Sequence, residues 1–103
     1  MSDLIPLAER AKAGDPTAFT DLVVRFQDMA TGYAFSILGD FHLAQDAAQE
    51  AFLDASRHLH QLRLPQAFPG WLRKAVFKHC DRIKRRKTVI TLPLDTVENL
   101  ASP

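Results

Sequence analysis

Residues 57–87 hold ten of the chain's thirteen lysines and arginines, against a single acid, Asp81. A cationic block of that density, with Trp71 inside it, has the chemistry to hold a sugar–phosphate backbone and offer an aromatic face to a base. The first 56 residues reverse the balance, with three basic side chains and nine acidic ones. An acidic surface calls for a basic or amide-rich partner, not nucleic acid. The total formal charge of +1 conceals this division.

Spacing sorts these charges onto faces. At 100° per helical residue, Trp71, Lys74, Lys78, Arg82 and Arg85 fall within roughly 80° of one another. That is a cationic stripe led by an aromatic residue, suited to tracking a phosphate chain. Trp71 has two readings, as a wall of the core or as a stacking surface. Upstream, Asp46, Gln49, Glu50, Leu53 and Arg57 share about 100° of arc. Charges there fit a plain solvated surface, but Leu53 in their midst fits contact with another protein. Residues 62–68 form a short irregular loop beside the stripe. It reads either as a connection or as a pocket for an extruded base.

Catalytic chemistry is poorly supplied. In His79-Cys80-Asp81 the side chains point about 100° apart on a helix, which breaks any nucleophile–base pair. His58-x-His60 lacks helical ligand spacing and has no cysteine or acid close by to complete a metal site. No glycine-rich phosphate loop is present. The expectation is a non-enzymatic protein without metal or cofactor. Cys80 is alone, so no intramolecular disulfide forms and a reducing compartment is the default. No secretory signal or membrane-length apolar run appears, so a cytoplasmic protein is expected.

The elements that position these residues are helices. A first helix is expected over 4–13, ending at Gly14. Asp15-Pro16 then combines an N-cap with proline at the first helical position. From there Phe19, Leu22, Val23, Phe26, Ala30, Tyr33 and Ile37 recur at three-and-four spacing up to Gly39. A third helix over 43–60 gathers Ala44, Ala47, Ala48, Ala51, Phe52, Ala55 and Leu59 on one side. That alanine face lets a neighbouring helix come close. Pro65 and Pro69-Gly70 break the pattern. A fourth helix over 70–86 then buries Leu72, Ala75, Val76, His79, Cys80 and Ile83. Residues 88–103 lack helical period at first and contain Pro93. The expectation is all-α, a compact bundle of about four helices over 1–87, with a linker or tail over 88–103.

At Asp46-x-x-Gln49-Glu50-Ala51-Phe52, followed by Phe68-x-x-Trp71-Leu72, the chain resembles conserved region 2 of the bacterial sigma-70 factors. The likeness is to the small extracytoplasmic-function (ECF) group. Supporting it are the run from Ala13 to Phe19, Leu22-Val23-Val24-Arg25-Phe26 and the basic end from Asp81 to Arg86. The resemblance covers about residues 5–87. It implies that Asp46, Gln49 and Glu50 dock on the β′ clamp helices of core RNA polymerase, with Leu53 beside them. It also implies that residues 62–67, Leu64 and Gln66 among them, receive a flipped base of the promoter −10 element. Arg63, Arg73, Lys74, Lys78 and Arg82 become candidate contacts to the non-template strand, alongside Trp71 and Arg85 of the stripe. An anti-sigma factor is a further partner of that family.

Two departures bear on the expectation. Many members carry an aromatic and a Gly- or Asp-containing loop where this chain has Leu62-Arg63-Leu64-Pro65-Gln66. The family's second DNA-binding domain, which reads the −35 element, has no counterpart here, and 88–103 reads as a connector towards it. Two rivals remain at this level. One is a duplex-binding helix-turn-helix, disfavoured because Pro69, Gly70 and Trp71 are poor groove readers. The other is a protein-binding bundle whose basic face meets an acidic regulator.

Overall fold

Aspartate caps determine where two of the helices begin. A computed structural model describes the backbone of residues 3–91 and the side chains of 3–86. Helix α1 spans Leu4–Lys12, α2 Pro16–Leu38, α3 Phe41–His58 and α4 Phe68–Thr91, with short 3-10 turns at Leu59–Gln61 and Pro65–Ala67. Asp15 caps α2, its Oδ1 accepting from the amides of Thr17 and Ala18 at 3.0 and 3.3 Å. Gly39 ends α2 in the left-handed region at φ 69°, where a Cβ is disfavoured, and its amide returns to the Phe35 carbonyl.

Both limits of α3 and both limits of α4 differ from the sequence expectation by two residues or more, α3 closing at His58 where the 3-10 turn Leu59–Gln61 takes over. Helix α3 begins at Phe41 because Asp40 extends its backbone and accepts from the Leu43 amide at 3.0 Å. Helix α4 begins at Phe68. Pro69 therefore stands in its first turn, where a missing N–H costs nothing, and Pro69-Gly70 does not interrupt the chain. The same helix runs on past Arg86 to Thr91, two residues short of Pro93. Residues 88–91 thus continue α4, and 92–103 lie outside the described residues.

Helix α3 packs on both α2 and α4, and α1 packs across α2 and the two 3-10 turns. Close approach follows from small side chains. Ala44, Ala47, Ala48, Ala51 and Ala55 of α3 are buried, as are Ala18, Ala30 and Ala34 of α2. Larger residues fill the space that remains, with Phe68, Leu22, Leu72, Val76 and Cys80 the largest fully buried side chains. The Phe68 ring meets Phe26 of α2 at 5.4 Å and Trp71 at 6.1 Å between centroids. This contact pins the start of α4, and hence the head of the basic stripe, to the bundle. No described helix is long and apolar enough to cross a membrane.

Candidate functional site

Helix α3 presents its polar face outward. Asp46, Gln49, Glu50 and Arg57 are exposed, and Leu53 keeps 47% of its surface open. The face is a ridge between two grooves. On one flank, between α2 and α3, lies an apolar groove of about 870 Å³, walled by Phe19, Val23, Phe35, Phe41 and Phe52 with Gln49 and Leu53 on its lip. On the other flank, between α3 and α4, Asp46, Gln49 and Glu50 line a groove of about 730 Å³ together with Arg82 and Arg86. The acidic and basic surfaces therefore share a border. Among the described residues Asp46 and Glu50 form no ion pair with Arg82 or Arg86, whereas Asp54, further along α3, pairs with Lys78 of α4 at 3.1 Å.

The stripe on α4 holds together only in part. Trp71, Lys74 and Lys78 line one hollow of about 390 Å³, with Asp54, His58 and Gln61 opposite. Trp71 is half-buried, one side against Phe68 and the other open to the hollow, so it serves as core wall and as exposed aromatic surface together. Arg82 lies beyond, in the α3–α4 groove. Arg85 is exposed and paired with Asp81 at 2.7 Å. Arg73 is exposed too, but on a wheel it stands about 160° from Trp71, on the far shoulder with Phe77 and Lys84.

The loop, read from sequence as a connection or as a base pocket, follows directly on Gln61 of this hollow. Leu62 turns into the core, while Arg63, Leu64 and Gln66 face solvent, Leu64 with 57% of its surface open. None of residues 62–67 lines the hollow beside Trp71. Its far wall comes from the end of α3 and the turn that follows.

Asp54 and His79 join these elements, and neither stood out as a functional residue in the sequence. His79 is only 5% exposed, and its Nε2 lies 2.6 Å from Asp54 Oδ2. An ionised carboxylate can only accept, so Nε2 carries the hydrogen. Lys78 Nζ lies 3.1 Å from the same oxygen. Burial pushes the Asp54 carboxyl up, but hydrogen bonds from His79 and Lys78 outweigh it and hold the group below its ordinary value. The signal for this pair was present in the sequence. A histidine within one apolar stripe and a carboxylate beside an alanine stripe each require a partner, and the bundle supplies one to the other.

A pH dependence follows. With the folded value lowered, Asp54's contribution to stability is complete above the unfolded carboxyl value of 3.8 and is lost as pH falls through the lower folded one. Thermal melts from about pH 6 to about pH 2.5 should show wild type losing its advantage over Asp54→Asn at the acid end. A constant difference between the two proteins across that range would show that the carboxylate is not held in this way. Cys80, one residue on, is sealed in the core, and burial raises its thiol, which leaves it protonated packing.

Comparison with known proteins gives this arrangement its family. The model of sigma-70 region 2 matches residues 22–88, from the second turn of α2 to the end of the basic block. The chain belongs to the sigma-70 region 2 family. Similar proteins place this region 2 chain with the ECF group. It is 35% identical over 80 residues to the ECF RNA polymerase sigma factor SigW of Bacillus subtilis, covering 77% of this chain and 43% of that protein. It is 42% identical over 66 residues to the RNA polymerase sigma-H factor of Pseudomonas aeruginosa, covering 64% of this chain and 34% of that protein. The ECF sigma factor SigM of Mycobacterium tuberculosis is 34% identical over 90 residues, with 86% of this chain and 46% of SigM covered. The chain therefore spans less than half the length of these relatives. No solved structure matches it significantly.

Proposed function

We propose that this region 2 domain is a transcription-initiation module that docks on core RNA polymerase and holds the opened promoter −10 element. The α3 ridge of Asp46, Gln49, Glu50 and Leu53 meets the β′ clamp helices. The non-template strand runs along Trp71, Lys74, Lys78 and Arg82, with Arg63 and Arg85 reaching further phosphates. One extruded base enters the hollow beside Trp71. The domain performs no bond chemistry; the reaction belongs to the polymerase. Trapping favours opening because an unpaired base exposes a face and an edge that duplex DNA hides.

The observation that carries this reading is the grouping of a half-open aromatic ring with Lys74 and Lys78 around one hollow. A duplex reader would instead need base-reading side chains at the exposed start of α4. That start carries Phe68, Pro69 and Gly70, with the Phe68 ring buried. A second partner has one observation in its favour. Phe35, Phe41 and Leu53 stand exposed along the α2–α3 groove, and an anti-sigma factor covering them would block the polymerase step.

Binding to a −10-like single strand and to its duplex over a salt series tests the proposal. About five phosphate contacts give a log–log slope of about −3.5 for a single strand. Arg63, Lys74, Lys78, Arg82 and Arg85 supply them; Lys78 does so without leaving Asp54, and the exposed Arg85–Asp81 pair opens at little cost. A flat slope or a preference for duplex overturns the reading.

A further inference from the structure

Asp54 is the one carboxylate on the wall of the hollow that Trp71, Lys74 and Lys78 line. A phosphate-gripping surface gives no reason for it, because a carboxylate among lysines repels phosphate. Nor is it a loose surface counter-ion. Its side chain is only 19% exposed, and Oδ2 is held by the buried His79 ring at 2.6 Å and by Lys78 at 3.1 Å. These two contacts use one oxygen. Oδ1 accepts no hydrogen bond among the described residues, and Arg57 Nη1 stands 4.0 Å from it. The result is an oriented acceptor with a donor, Lys78 Nζ, directly beside it and an aromatic ring across the gap.

That combination suits the edge of a nucleobase better than its phosphate. We propose that Asp54 is a specificity residue for the base seated in this hollow and selects one bearing an exocyclic amino group. The inference rests on the single-strand reading above. Asp54 Oδ1 accepts from the amino group, while Lys78 holds Oδ2 in place and keeps its other N–H bonds for the backbone phosphate. Cytosine, adenine and guanine each carry a projecting exocyclic amino donor on the pairing edge. Thymine has only a recessed imino N–H between two carbonyls, and those carbonyls repel an approaching carboxylate. Trp71 contributes stacking that every base shares, so the carboxylate alone carries the discrimination. His79 is a positioning residue, since it fixes which oxygen stays free.

The test uses the full chain and fluorescent oligonucleotides about 12 nucleotides long, a length within one single-strand site. One is all thymine; three others carry a single central adenine, cytosine or guanine. Wild type is expected to bind at least one amino-bearing strand about tenfold more tightly than the all-thymine strand. Asp54→Asn keeps an acceptor for His79, so the fold stays intact. Its amide can also turn a donor towards a carbonyl. Its preference should drop below about twofold, with affinity for oligo(dT) unchanged or higher once a negative charge is gone. Lys74→Ala should weaken all four strands alike and keep the preference. Equal binding of all four strands by wild type, or a preference that survives in Asp54→Asn, overturns the inference and leaves single-strand binding standing. Failure of wild type to bind any of them overturns the proposed function, and this inference with it.

Discussion

Replacing Asp46 and Glu50 together with lysine is expected to weaken capture of core RNA polymerase by about 30-fold or more, roughly 2 kcal/mol. Both side chains are exposed on the α3 ridge, so the change leaves the core untouched. The same variant should bind a −10-like single strand at least as well as wild type. Asp46 and Glu50 border the groove that Arg82 and Arg86 line, and reversing their sign adds to the positive field there. The gain should fade as salt rises, because it acts across solvent. Co-migration with polymerase and anisotropy with DNA separate the two effects. Parallel loss of both activities would mean that the ridge supports the fold and is not a docking surface. Unchanged polymerase capture would remove α3 from the interface.

That opposite movement of two activities could not be anticipated from the sequence, where acidic and basic faces were placed on separate helices without a relation between them. Each face was legible because helical periodicity fixes angles within one helix. The alanine stripe of α3 and the apolar side of α4 were legible for the same reason. Asp15-Pro16 and Gly39 marked the limits of α2 because their backbone preferences are strong. Asp40 escaped notice as a cap because the residue after it, Phe41, is exposed and gives no periodic cue. Pro69-Gly70 was read as a break, although proline is accommodated in a first helical turn.

The resemblance puts a base pocket at residues 62–67, whereas the hollow beside Trp71 takes its walls from α3, Gln61 and α4, and its shape depends on how α3 and α4 cross. Crossing depends on which small residues meet between helices, a property of pairs that no single helix displays. The Asp54–His79 contact is the same kind of fact, invisible in either helix alone. Arg73 shows the converse. The resemblance grouped it with the stripe, whereas wheel geometry already set it apart.

Truncating Phe68 to alanine should cost about 3–5 kcal/mol, a large share of the 5–15 kcal/mol that holds a typical domain folded. The ring is fully buried and lies between Phe26 and Trp71, so its loss removes contacts on two sides and leaves a void that rigid α-helices cannot close. Urea unfolding reads this as a lowered midpoint at constant slope. Phe68→Leu, which fills most of the space, should lose only about 1–2 kcal/mol. The consequence for function comes through Trp71. Its inner side rests on Phe68, so the leucine variant, still folded, should hold single strands less well while capturing polymerase normally. Equal single-strand affinity in Phe68→Leu and wild type would mean that Trp71 keeps its place without that support. The head of the stripe would then be fixed by Leu72 and Val76 below it.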